Sequence, residues 1–247
     1  MDHREHCDAL AEQVAAITDL VDAASPDAPV PTCPGWTATD LAEHLGVIHR
    51  WAEHLVRVLA PQRIASDEMD FERGPVGAAW IRDGGARLVA TLRSSDPTAP
   101  MWAWGADQHV RFWSRRQLHE TMVHRMDLEI ALGRSPHADV SVAADGIDEF
   151  LVNLAAAERF SPGVAQLRGR GERIAFIATD ADRRWTVRLD PAGFTLTDAE
   201  DADVDLAGRA EDLLLVLYRR TPLSSSPVVL RGDPEVAEFW LAHSALG

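Results

Sequence analysis

Glu120 and His124 stand four residues apart within the segment 115–133. On a helix, that spacing puts a carboxylate and an imidazole on one face, one turn apart. The stripe they share is Val110, Trp113, Gln117, Glu120, His124, Leu128 and Ala131, apolar at both ends. Burying a carboxylate and an imidazole costs free energy unless each is paired or coordinated, and a divalent cation would satisfy both. A catalytic zinc site usually takes three protein ligands and keeps one position open. His44, next to the apolar stripe residue Leu45 of an earlier helix, offers the third. His44, Glu120 and His124 are therefore a candidate ligand set for zinc. The same mixed donors also admit nickel, iron or manganese. An E-x-x-x-H pair by itself more often marks a hydrogen-bonded core pair or solvated groups, and the pattern alone leaves those readings open.

The remaining reactive residues carry weaker signals. His119 lies about 100° off the stripe, which places it at a surface or edge. His49, five residues past His44, falls on another face, at a solvated edge or behind the ligands. His3, His6 and Cys7 resemble a metal-binding tract, but chain ends fray, so they are expected to be solvated. His54, His109, His137 and His243 show no pattern. Asp127, one turn beyond His124, could accept the second imidazole N–H; it could equally be an exposed acid paired with Arg125. Cys33, in PTCPGW, reads as a buried loop thiol with Trp36 packing the turn, since no nearby base is evident to activate it. Arg219 and Arg220 follow the apolar run LLLVLY. They suit the capping of a helix end, or a two-toothed grip on a carboxylate. No nucleophile elbow, phosphate-binding loop or dinucleotide fingerprint is present.

These residues need elements to hold them. Cys7, Leu10, Val14, Ile17 and Val21 step at helical intervals, and Pro29, Pro31 and Pro34 break the pattern. Thr37 and Asp40 (TATD) have capping-box spacing ahead of a second helix with the stripe Leu41, Leu45, Ile48, Ala52, Leu55 and Leu59, ended by Pro61. A weaker helix spans about 76–92, interrupted by Gly84 and Gly85. A Pro- and Trp-containing loop occupies 94–107, and a fourth helix runs from Val110 to Leu132, stopped by Gly133 and Pro136. Four such helices with short links predict a four-helix bundle. Beyond it the pattern changes. A helix near 143–159 precedes strands at 174–178, 185–189, 194–197 and 204–206, a helix at 211–219, a strand at 228–230 and a last helix at 234–243. The fold class is α+β, with a helical domain at 1–138 and a small α+β domain at 139–247.

Composition narrows the function. With 24 Lys and Arg against 39 Asp and Glu, the 247-residue chain carries a formal net charge of −15. Such a surface repels phosphate backbones and anionic lipid, which argues against nucleic-acid or membrane partners. Two cysteines make no disulfide scaffold. The polar start MDHREHCDAL has no signal-peptide character, and a cytoplasmic protein is expected.

The segment VPTCPGWTATDLAEHLGVIHRWAEHL (30–55) resembles the N-terminal signature of the mycothiol-dependent maleylpyruvate isomerase family, as does RRQLHETMVHRMDLEIALG (115–133). The helical domain of that family is similar to DinB-like bundles, which hold a metal on three side chains. DLLLVLYRRTPLSSSPVVLRGDPEV is similar to the family's C-terminal, sterol-carrier-like domain. The resemblance implies His44, Glu120 and His124 as zinc ligands and mycothiol as thiol cosubstrate. It also implies Arg220, or Arg219 in the alternative register, as the group holding substrate carboxylates. The implied chemistry is thiolate addition to an electrophilic double bond followed by isomerisation, or S-transfer that stops at the adduct. The expected partners are a small thiol and an electrophile, on a monomer or small homo-oligomer. A non-catalytic metal- or ligand-binding regulator on the same scaffold is the alternative, and a carrier of apolar ligands is a lesser one.

Overall fold

The computed structural model describes residues 1–69 and 75–245, which form an α+β protein of two compact units, Met1–His137 and Ala138–Gly247. Among the described residues, no helix is long and apolar enough to cross a membrane.

The first unit is a bundle of α1 (His3–Ala23), α2 (Ala38–Arg57), α3 (Ala78–Ser94) and α4 (Val110–Ala131). α1 packs on α3 and α4, and α2 packs on the same two helices. Asp2 and Glu5 form a reciprocal capping box that starts α1 at the third residue. The N-terminal tract is therefore helical rather than frayed. His3 bonds Ser114 Oγ at 2.9 Å and the Leu92 carbonyl at 3.0 Å, while Cys7 is fully buried. Burial pushes the Cys7 thiol up to about 11, which makes it an inert core group.

Thr37 and Asp40 cap α2 as their spacing predicts. The helix stops at Arg57, before Pro61, and Leu59 turns into the left-handed region at φ 46°. Leu59 is consequently 43% exposed rather than part of the stripe.

The two glycines inside α3 serve packing. A Cβ at Gly85 would lie 2.5 Å from Val14 of α1, and one at Gly84 would lie 2.4 Å from Arg50 of α2. Close approach of three helices outweighs the helix-propensity cost of about 1 kcal/mol per glycine. α4 is buried on nearly every face. His119, expected at the surface, is fully buried. Arg125 is buried as well and bonds Gln13, Glu129 and the His137 carbonyl.

The second unit opens with α5 (Val140–Asn153), capped by Asp139. The helix expected to reach Arg159 gives way to 3₁₀ turns at Leu154–Arg159 and Pro162–Gln166. Five strands follow: β1 (Arg173–Ala178), β2 (Arg183–Asp190), β3 (Gly193–Thr197), β4 (Val204–Gly208) and β5 (Val229–Gly232). The sheet order is β3-β2-β1-β4-β5, with β1 and β4 parallel and the other pairs antiparallel. Two further helices, α6 (Ala210–Leu217) and α7 (Pro234–His243), complete the unit. Phe176 and Phe194 pack against the fully buried Trp240 of α7.

α6 ends in a Schellman turn. Arg219 N–H reaches the Val216 carbonyl at 2.9 Å and Arg220 N–H reaches that of Leu215 at 2.7 Å. The left-handed position, φ 58°, is filled by the exposed Arg219, where glycine is the usual residue. Relief of that strain exceeds the extra unfolded-state entropy of glycine, so Arg219→Gly is expected to stabilise the protein by about 0.5–1 kcal/mol. A rightward shift of the urea midpoint at constant slope would show it.

Candidate metal centre

α2 and α4 aim three donors at one point inside the first unit. His44 Nε2 lies 2.9 Å from Glu120 Oε1, and His124 Nε2 lies 3.4 Å from the same oxygen. One ligand atom from each of the three residues falls within 4.8 Å of the others. The i,i+4 step along α4 sets Glu120 below His124. The capping box at Thr37 fixes where α2 begins and hence where His44 points.

His44 and Glu120 are 30% and 25% exposed, while His124 is only 11% exposed, so the cluster opens to solvent on one side. Arg116 approaches the other carboxylate oxygen, Oε2, at 3.4 Å. Burial opposes ionisation of Glu120. Hydrogen bonds from His124 and His44, with Arg116 nearby, overcome it and hold the carboxyl well below its usual range. Burial likewise opposes charge on His124, yet contacts with Asp127, Cys33 and Glu120 hold its pKa well above 6.5.

Behind the cluster, Asp127 is fully buried and its Oδ2 accepts the His124 Nδ1–H at 2.9 Å. Of the two roles considered for Asp127, orienting the imidazole is the one the geometry displays. The Cys33 S–H also reaches Oδ2, at 3.4 Å. The indole of Trp36 lies 5.0 Å from the His44 ring and stacks 5.9 Å from that of His124. Cys33 and Trp36 come from one tight loop, in which Val30 N–H bonds the Trp36 carbonyl and Cys33 N–H bonds the Val30 carbonyl. Nothing in their spacing announced that this loop folds onto α4.

His49, expected at a solvated edge, is fully buried beside the cluster. The Thr121 hydroxyl donates to the Gln117 carbonyl at 2.7 Å, so it must accept from His49 Nε2–H at 2.9 Å. Nδ1 of His49 has no hydrogen-bond partner among the described residues. Burial pushes His49 down to about 4. Its proton is therefore bound more readily by the unfolded chain, whose imidazole titrates near 6.5. The His49 contribution to stability is intact above pH 6.5 and is lost as pH drops from about 6.5 to about 4, by about 3 kcal/mol in all. His49→Gln should flatten this acid limb in urea unfolding measured between those values. An unchanged slope would mean that His49 does not titrate on unfolding.

Arg220, in the second unit, is half-buried, and its Nη1 donates to the Tyr218 carbonyl at 3.0 Å. Arg219 is exposed at the strained turn. Each of the two is placed only within its own unit.

The three-donor cluster suits a divalent ion. Two neutral imidazole nitrogens and a carboxylate are donors that zinc accepts, and one imidazole already has its outer nitrogen fixed by a carboxylate.

Two family models match the chain: the mycothiol maleylpyruvate isomerase N-terminal domain over residues 7–129, and the C-terminal domain of the same family over residues 141–239. Among solved structures, a crystal structure of a mycothiol-dependent maleylpyruvate isomerase is similar at 12% identity. Its TM-score is 0.58, with 94% of this chain and 95% of that chain covered. A single-site mutant of a mycothiol-dependent maleylpyruvate isomerase gives a TM-score of 0.59, with the same identity and coverage. At that identity the likeness is one of fold. A search of curated proteins finds no match.

Proposed function

Because the chain belongs to the mycothiol maleylpyruvate isomerase family, we propose that it is a metal-dependent enzyme that activates a small thiol of the mycothiol class toward an electrophilic small molecule. The reaction is isomerisation by addition, bond rotation and loss of the thiol, or S-transfer ending at the adduct. One observation carries the reading: the convergence of His44, Glu120 and His124 at a solvent-accessible point of an otherwise buried bundle.

His44, Glu120 and His124 would hold the ion, zinc being the first candidate. A bound divalent ion lowers the pKa of a thiol so that it is thiolate at neutral pH. The surrounding residues prepare the donors. Asp127 holds one imidazole proton at His124 Nδ1, so Nε2, whose proton now faces Glu120, is the nitrogen that would take the ion once that proton is displaced. Arg116 balances the charge of Glu120 from the far side. Trp36 packs against the two imidazoles and restricts their rotation. Arg220 is the candidate for holding a substrate carboxylate, with Arg219 as the neighbouring alternative.

The test is incubation of zinc-loaded protein with mycothiol and a panel of electrophiles, including maleylpyruvate, with products read by mass and by chromatography. Isomer without adduct identifies an isomerase, and a stable adduct identifies a transferase. Metal-loaded protein that produces neither, across the panel, would favour the non-catalytic reading.

A further inference from the structure

His124 presents its two nitrogens to two different carboxylates. Nε2 faces Glu120 at 3.4 Å, and Nδ1 faces Asp127 at 2.9 Å. On the Asp127 side stands Cys33, whose sulfur is 3.4 Å from Asp127 Oδ2. Ligand atoms of Cys33, His124 and Asp127 all lie within 4.8 Å of one another, as tightly grouped as those of His44, Glu120 and His124. Asp127 and His124 are buried, while Cys33, in the loop between α1 and α2, is only partly buried and so can be reached by an ion.

We propose that Cys33, Asp127 and His124 form a second cation position, one that contains a thiolate and is selective for soft divalent ions such as cadmium. The proposal builds on the metal site under Proposed function, because the two positions share His124. A neutral imidazole has a single lone pair: a cation on one nitrogen leaves the other as an N–H donor. With an ion at Nε2, Nδ1–H donates to Asp127; with an ion at Nδ1, Nε2–H donates to Glu120. The positions are thus mutually exclusive, and the chain takes one ion in either mode. Ligand softness decides which. A thiolate, imidazole and carboxylate set favours the softer ion, whereas the imidazole–carboxylate–imidazole set suits zinc without sulfur. Binding at the sulfur position displaces the Cys33 thiol proton to solvent and forms a sulfur–metal bond, with no change of oxidation state.

The experiment uses the full-length, metal-stripped chain titrated with cadmium chloride alone, followed by the ultraviolet thiolate-to-cadmium charge-transfer band. Wild type should develop the band and saturate at one ion per chain. Cys33→Ser should lose it, while Cys7→Ser should keep it, since that thiol is buried elsewhere. Glu120→Gln should keep the band, as should His44→Gln, which serves if the first does not fold. Absence of the band in wild type, or its persistence in Cys33→Ser, overturns the proposal. Parallel zinc titrations separate this from the underlying reading. Zinc binding that survives Cys33→Ser but is lost in His44→Gln upholds the His44–Glu120–His124 site whatever cadmium does.

Discussion

His44→Gln and His124→Ala are expected to abolish stoichiometric zinc uptake, the largest change of ligand affinity that any single substitution in this chain should produce. Loss of an outer-shell partner typically weakens a metal site about 10–100-fold, and loss of a donor costs more than that. Asp127→Asn, which keeps shape and burial but removes the carboxylate behind His124, should fall within the 10–100-fold range. The effect also appears in stability. Zinc at 100 times its dissociation constant stabilises the wild type by about 2.7 kcal/mol, and the same zinc stabilises a variant bound a hundredfold more weakly by only about 0.4 kcal/mol. Thermal unfolding with and without zinc reads this difference directly. His44→Gln is the cleaner variant, because His44 is 30% exposed and its loss leaves Asp127 with its His124 partner. Uptake should also weaken as pH falls. Contacts with Asp127, Cys33 and Glu120 raise the pKa of His124, so a proton competes with zinc for its nitrogen more strongly than at a free imidazole, and the apparent affinity declines as pH falls. Equal zinc affinity in wild type and in both ligand variants would sink the site.

The sequence made this cluster visible through one helix. Glu120 and His124 stand out because a period of 3.6 puts them on one face, and His44 stands out because it adjoins a stripe residue of α2. The same logic failed for His119 and His49 and left two roles open for Asp127, and the cause is the environment of α4. That helix is polar in sequence yet enclosed on nearly all sides, so a single inward stripe describes only part of it. Its polar residues are buried with partners that come from other turns and other helices, such as Thr121 with His49 and Arg125 with Gln13. For Cys33 and Trp36 the motif PTCPGW indicates only loop packing. Their placement beside His124 depends on how the loop from Val30 to Trp36 folds back, which no spacing rule encodes. In the second unit, alternation and turn residues located every strand, and α7 matches its expected span. The helix ends were less legible, as the 3₁₀ turns after Asn153 show.

A second large effect is expected at Gly46, where replacement by alanine should destabilise the first unit by about 2–4 kcal/mol. A Cβ at that position would fall 1.7 Å from Trp80 Nε1 and 2.1 Å from Cδ1, far inside contact distance. The ring cannot slide away. The Arg50 guanidinium sits 3.4 Å over its centroid, and the same arginine bonds the carbonyls of Gly46 and Trp80 as well as Asp83. The ring also belongs to a buried cluster with Leu41, Leu45, Ile81 and Leu128. Alanine gains about 1 kcal/mol of helix propensity over glycine, which is too little to offset displacement of a buried tryptophan. The melting temperature should fall by roughly 5–15 °C. In a double-mutant cycle, Gly46→Ala should cost much less in a Trp80→Leu background, because the clash is with that one side chain. Because His44 lies half a turn from Gly46 on α2, the single variant should also loosen zinc binding as α2 shifts relative to Glu120. A Gly46→Ala protein of wild-type stability would mean that α2 and α3 stand further apart than the Gly46–Trp80 approach requires, and the placement of His44 would then have to be re-examined along with them.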